Sequence, residues 1–266
     1  MASLGGCTFI MNGNKFDYCY RETIQNLKDM CDQVVVVTIQ TEDGTVEEVK
    51  RLADEKTKVI VLDDTLWNLL GGHEDLFKGR DRLSHFSNIA LANLDTDFAI
   101  YVQCDEVIAE QSFPFIRQAI NEPNASGFMI TRINLWGDAY HELIARNQPC
   151  SHQVIRLGRN IPTFRCVDDA ESCSVVPLSF DYVDKIIMYH VGFVRDFKIM
   201  KAKVKNMLVD VFQFSEADRR LANHDYYNPW DYFTKEDVRP LIGPLPKYIQ
   251  KWAEERKRRN EIYMQG

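Results

Sequence analysis

Residues 101–110 read Tyr-Val-Gln-Cys-Asp-Glu-Val-Ile-Ala-Glu, and Asp105 and Glu106 stand side by side just after an apolar run. Carboxylates at the end of a buried strand are costly to desolvate unless something cationic meets them. Hard divalent ions such as Mn²⁺ or Mg²⁺ are natural partners, because they bridge carboxylate to phosphate. The plainer alternative is a pair of solvated loop acids capping the next helix. His190 closes a second apolar run, Lys185 to His190, just before Gly192, which lets the chain turn tightly beside a ligand. Its plainer alternative is a hydrogen-bonded core histidine. Arg195 follows, and Lys201 or Lys203 offers another cation; these would grip a diphosphate or else form a solvated helix face. Cys166 to Glu171 carries three acids, Asp168, Asp169 and Glu171, of the type that takes a proton from an attacking hydroxyl.

The elements that must position these groups are legible in the first hundred residues. Cys7 to Met11 is a β-rich run ended by the turn cluster Asn12-Gly13-Asn14. Ile24, Leu27 and Met30 recur at helical spacing, and Gln33 to Thr38 is a continuous apolar run of the kind buried on both faces of a sheet. Asp43-Gly44-Thr45 is a turn, and Thr45 with Glu48 has the spacing of a capping box that opens a helix. Lys58 to Leu62 is the next strand. Repeated β-α units predict a parallel sheet with right-handed crossovers. Trp67 to Lys78, with Gly71-Gly72, reads as a loop, and Arg82 to Leu94 as a helix. Phe98 to Val102 is a fourth strand, which puts Gln103 to Glu106 at its C-terminal end, where open α/β sheets hold ligands.

Further on, Gly127 to Ile133, Gln153 to Leu157 and Lys185 to His190 read as strands, and a helical region runs from Phe197 to about Phe214. The tail, Pro246 to Gln265, is amphipathic: Tyr248, Ile249, Trp252 and Ala253 form an apolar stripe, followed by the cations Arg256 to Arg259. That tail reads as a docked terminal helix, or as a weak contact for an anionic lipid surface or a phosphate-bearing acceptor. The division expected is a domain over 1–205 and a helical C-terminal extension over 206–266 packed on it.

Composition narrows the classes. The chain of 266 residues carries a net charge of −7, which argues against broad non-specific nucleic-acid binding. No apolar run approaches the roughly 20 residues of a membrane span. The N-terminus has no basic stretch of the kind that opens a signal peptide, so a cytoplasmic setting is expected. Seven cysteines without C-x2-C spacing predict reduced thiols, mostly small core residues. No G-x4-G-K-[ST], no G-x-G-x-x-G after the first strand and no G-x-S-x-G occurs, which removes kinase, dehydrogenase and esterase readings.

The segment Gln103-Cys104-Asp105-Glu106-Val107 resembles the D-x-D region of family 2 glycosyltransferases, in particular a bacterial and viral subgroup that reads Q-x-D-E-V. Other stretches resemble the same subgroup in order: Phe9 to Tyr18, Asp43-Gly44-Thr45, Leu62 to Trp67, Ser84 to Leu91 and Ile187 to Arg195. The likeness covers about residues 7 to 205. It implies a GT-A fold, a Rossmann-like, mostly parallel central sheet flanked by helices. It also implies a nucleotide-diphosphate sugar as donor, a glycan or other hydroxyl-bearing acceptor, and Mn²⁺ or Mg²⁺ as cofactor. A modified nucleobase stays open as an acceptor.

Under that resemblance Asp105 is the metal ligand and diphosphate anchor, and His190 a second metal ligand. Gln103 takes the place of the first acid; an amide bonds a sugar hydroxyl but is a poor ligand for a hard cation. Asn12, Thr38, Arg82 and Arg195 fall at donor-contacting positions, although Thr38 stands where most relatives carry an Asp that reads uracil. Asp169 is the choice for catalytic base, with Asp168 and Glu171 as alternatives, in a reaction expected to invert the anomeric centre. The rivals are a nucleotidyltransferase, which would need a Gly-rich basic loop after the first strand, and a non-catalytic nucleotide- or sugar-binding module.

Overall fold

The fold is that of a computed structural model, which describes residues 1–72, 81–144, 151–176, 179–206 and 235–263. Strands β1 (Leu4–Ile10), β2 (Gln33–Ile39), β3 (Thr57–Leu62) and β4 (Phe98–Tyr101) form a parallel half-sheet in the order β3-β2-β1-β4. Helices α1 (Tyr20–Met30), α2 (Thr45–Leu52), α3 (Asp64–Gly72) and α4 (Asp81–Leu91) connect them. The second half is largely antiparallel. It comprises β5 (Glu106–Ile108), β6 (Gly127–Trp136), β7 (His141–Leu143), β8 (Gln153–Arg159), the long β11 (Phe180–Phe193) and β12 (Val238–Pro240). β8 joins the halves, antiparallel to both β4 and β6. β9 (Arg165–Val167) and β10 (Ser172–Ser174) form a separate hairpin, and α5 (Phe113–Asn121), α6 (Phe197–Asn206) and α7 (Lys247–Tyr263) complete the described elements. The chain is thus an α/β protein with a central mixed sheet flanked by helices.

The apolar run of β2 is explained by burial on both sides. Val34 and Val36 join Ile24, Leu27 and Met30 of α1 and Val49 of α2 in one core. Val35, Val37 and Ile39 join Phe86 and Ala90 of α4, with Cys166 and Cys173 of the β9–β10 hairpin, in the other. Successive strand residues point to opposite faces, so a strand between two helical layers must be apolar at every position. The six cysteines among the described residues are free thiols and, apart from the partly buried Cys104, fill core positions.

Two local expectations are corrected. The stretch from Trp67 is not a loop at its start, because α3 carries the helix through Gly72. Trp67 stacks on Phe9 at 6.2 Å and on Phe86 at 5.6 Å, and that packing outweighs the weak helical propensity of the glycines. Thr45 is the first helical residue of α2 and not its cap. Gly44, with φ 78°, holds the cap position, and the Asp43 carboxylate accepts from the Thr45 N–H at 3.1 Å. Glu48 is drawn instead to Arg21 and Arg51.

α7 docks on the domain through Ile249, Trp252 and Ala253, which pack with Val107, Ala109, Tyr189 and Val191. The cationic run is partly spent inside the protein: Arg256 is buried and pairs with Asp17, and Lys257 lies over the Tyr140 ring at 5.3 Å. The side chains of Arg258 and Arg259, the loop through 73–78, the helix expected over 207–214 and Cys150 lie outside the described residues. Among the described residues no helix is long and apolar enough to cross a membrane.

Candidate functional site

At the C-terminal end of β4 the chain turns through Gln103 and Cys104 and delivers Asp105, 6% exposed, against β11. The Asp105 carbonyl accepts from the Val191 N–H at 2.9 Å, which fixes the turn to the strand that carries His190. Three cationic or basic groups then converge on one oxygen. Lys203 Nζ lies 3.2 Å, Arg195 Nη2 3.5 Å and His190 Nε2 3.8 Å from Asp105 Oδ2. Burial by itself would raise the Asp105 carboxyl, but the charges of Lys203 and Arg195 beside it outweigh burial and hold the group well below the usual carboxylate range. Asp105 is therefore an anion at neutral pH.

Arg195 is a fixture. Nε donates to the Phe16 carbonyl at 2.7 Å and Nη1 to those of Val191 and Gly192, and the guanidinium is wholly buried over the Tyr18 ring at 4.6 Å. Lys203 comes from α6, three residues after the buried Met200 and so on the same helix face. Its ammonium donates to the Gly192 carbonyl at 3.0 Å and lies 5.0 Å from the Tyr18 ring. Burial and Arg195 push its pKa down, with Asp105 only partly restoring it. Of the two lysines open on sequence, the structure brings Lys203 to the site.

Glu106 belongs to a different cluster. It is fully buried, accepts from Arg156 at 2.8 Å, from Arg132 at 3.4 Å and from the Gln103 N–H at 2.8 Å. Arg132 also pairs with Glu171, and Arg132 and Arg156 are both buried. Glu106 and Glu171 thus brace the Gln103 turn and the β9–β10 hairpin from below. Sequence reasoning missed both arginines, although each charge interrupts an apolar strand run and so advertises a buried partner.

The Asp169 loop meets the same turn. Gln103 Nε2 donates to the Ala170 carbonyl at 3.3 Å, and Asp169 Oδ1 accepts from the Glu171 N–H at 3.2 Å. Asp168 and Ala170 flank Asp169 with left-handed φ of 49° and 60°. Asn12, with φ 54°, opens the loop after β1 whose Phe16 carbonyl holds Arg195. Two further predicted residues lie on other elements, Thr38 in β2 and Arg82 in α4. Thr38 is fully buried in β2, and its hydroxyl has no hydrogen-bond partner. Arg82 is buried with its guanidinium 4.8 Å from the Trp67 ring.

The space between Asp105 and His190 is kept by a glycine. A Cβ on Gly192 would fall 2.2 Å from His190 Nε2 and 3.0 Å from Asp105 Oδ2, so the missing side chain keeps that space open. His190 Nδ1 lies 3.0 Å from Asn134 Oδ1. With the amide oxygen as acceptor, Nδ1 carries the proton and Nε2 is the lone-pair nitrogen, the usual arrangement of a metal-binding histidine. One carboxylate and one imidazole suit Mn²⁺, with further positions left to phosphate oxygens and water. These residues fit such an ion. Among the described residues no group of three or more His, Cys, Asp and Glu side chains is gathered to hold one alone.

No protein-family model matches the chain, and no curated protein does. Solved structures do. TarS residues 1–349 from S. aureus, in complex with UDP-GlcNAc, is similar over 83% of this chain and 70% of that one, at 14% identity and a TM-score of 0.44. The mannosyltransferase PcManGT from Pyrobaculum calidifontis, with GDP-Man and Mn²⁺, is similar over 95% of this chain and 68% of that one, at 13% identity and 0.47. Glucosyl-3-phosphoglycerate synthase from Mycobacterium tuberculosis, with Mn²⁺, UDP and glucosyl-3-phosphoglycerate, is similar over 81% and 82%, at 11% identity and 0.44. Identities this low carry no residue roles over to this chain.

Proposed function

We propose that this chain is a GT-A glycosyltransferase that moves a sugar from a nucleotide diphosphate to an acceptor hydroxyl. The observation that carries the reading is the meeting of Asp105, His190, Lys203 and Arg195 at the end of a parallel strand. A buried carboxylate and imidazole beside two cations suit a diphosphate and the ion that travels with it. The fold positions that site where an open α/β sheet binds ligands.

In this reading Asp105 and His190 would hold a divalent ion, Mn²⁺ in preference to Mg²⁺, since imidazole is a better ligand for the former. When bound, the ion would stabilise charge on the leaving diphosphate. Asp169 takes the proton of the acceptor hydroxyl as its oxygen attacks the anomeric carbon, with inversion, and the bond to the diphosphate breaks. Gln103 sets the Asp169 loop through the Ala170 carbonyl. Glycan or other hydroxyl-bearing acceptors approach along the β9–β10 hairpin, and Asn12 borders the donor side.

The test is incubation with a panel of nucleotide sugars and Mn²⁺, following release of free nucleoside diphosphate. Release is expected with at least one donor, lost in Asp105→Ala and reduced at least a hundredfold in Asp169→Asn when an acceptor is present. No release from any donor, with UDP and GDP failing to raise the melting temperature, would overturn the reading.

A further inference from the structure

Asp105 already has a counter-ion. Lys203 Nζ lies 3.2 Å from the oxygen that faces His190, closer than the other charged nitrogens of the described residues. The two neighbouring cations differ in how they are held. Arg195 spends Nε and Nη1 on three backbone carbonyls and is wholly buried, so it cannot leave. Lys203 reaches in on a flexible four-carbon stem, keeps 13% of its side chain exposed, and besides Asp105 has one carbonyl, that of Gly192, and the Tyr18 ring at 5.0 Å. Charge explains the arrangement. Asp105 contributes −1 and Lys203 with Arg195 +2, so a divalent ion entering alone would raise an already positive, poorly solvated site.

We infer that Lys203 is a displaceable counter-ion of Asp105: it holds the carboxylate until a diphosphate arrives, then turns to the phosphate and yields the carboxylate to the ion. The inference rests on the proposed function and adds an order to it, with ion and nucleoside diphosphate entering together. Lys203 is then a positioning residue for the ion and a binding residue for the diphosphate.

Mn²⁺ titration, read by the electron paramagnetic resonance of the free ion, tests this on the full chain with and without UDP. Mn²⁺ alone is expected to bind Lys203→Met at least tenfold more tightly than wild type, because a cation 3.2 Å from the ligand oxygen is gone. UDP with Mn²⁺ is expected to bind the same variant about tenfold more weakly. Unchanged or weaker Mn²⁺ binding by the folded variant overturns the inference. Lys203→Gln, which keeps a donor for the Gly192 carbonyl, repeats the measurement should the methionine variant fail to fold. If no nucleoside diphosphate binds wild type, the proposed function fails, and the Mn²⁺ arm still judges Lys203.

Discussion

Asp105 and Glu106 are consecutive, yet they answer to different cations: Asp105 Oδ2 lies 3.2 Å from Lys203 Nζ, and Glu106 Oε1 lies 2.8 Å from Arg156 Nη2. Lys203 keeps 13% of its side chain exposed, whereas Glu106 and Arg156 are fully buried. Glu106→Gln leaves the buried Arg156 short of its anion and Arg132 with Glu171 alone. It is expected to cost about 3–5 kcal/mol, the range for a broken buried ion pair. Asp105→Asn is expected to cost less, because Lys203 can swing to solvent. Urea unfolding of both variants decides the point, and a costlier Asp105→Asn would show the two clusters wrongly divided.

Gly192→Ala places a methyl group 2.2 Å from His190 Nε2. The imidazole must move, at roughly 1–3 kcal/mol of stability for an overpacked site. The larger effect is on the ion. Mn²⁺-dependent UDP binding is expected to fall tenfold or more, while UDP binding without Mn²⁺ changes little. Equal loss under both conditions would mean that His190 only packs.

Asp43 ties the loop after β1 to the loop before α2, accepting from the N–H groups of Asn14, Lys15 and Thr45. Burial raises its carboxyl, but the Lys15 N–H and the hydroxyls and N–H around it bring the pKa below the ordinary value. A depressed carboxylate pKa gives stability that is present above the unfolded value of about 4 and is lost as pH falls through the folded one. Asp43→Ala is therefore expected to lose about 1–2 kcal/mol at pH 7. The gap to wild type should narrow as pH falls below about 4, by thermal melts through that region. A gap constant with pH would assign the loss to packing.

Removing α7 uncovers the sites of Ile249, Trp252 and Ala253, all buried. Truncation before Lys247 is expected to cost about 4 kcal/mol in lost burial. It also frees Asp17 from Arg256. The melting temperature should fall before donor hydrolysis does. Unchanged stability with lost acceptor transfer would instead make the helix a recruitment surface.

The parallel half-sheet was legible because its strands alternate with amphipathic helices and each strand is apolar throughout, as in Val34 to Val37. The acidic turn was legible for the same reason, since two charges after such a run need partners. The second half was legible only as strands, because pairing β11 in parallel with β6 and antiparallel with β5 depends on contacts far apart in sequence. Lys203 and Lys201 could not be separated by type, and only the helix face shared with Met200 distinguishes them. Arg82 illustrates the limit: a cation beside a motif does not announce which ring it will lie over, here that of Trp67.

The bond from Arg195 Nε to the Phe16 carbonyl joins residues 179 positions apart. Such distant closure is slow to find during folding, since the intervening chain must be ordered first. As the polypeptide leaves the ribosome, β1 to β4 can pair long before residue 195 exists. An emerging chain can therefore own most of its parallel sheet and still lack the guanidinium that braces its key carboxylate. Fragments ending short of Arg195 are expected to lack the braced Asp105 however much of that sheet they have formed.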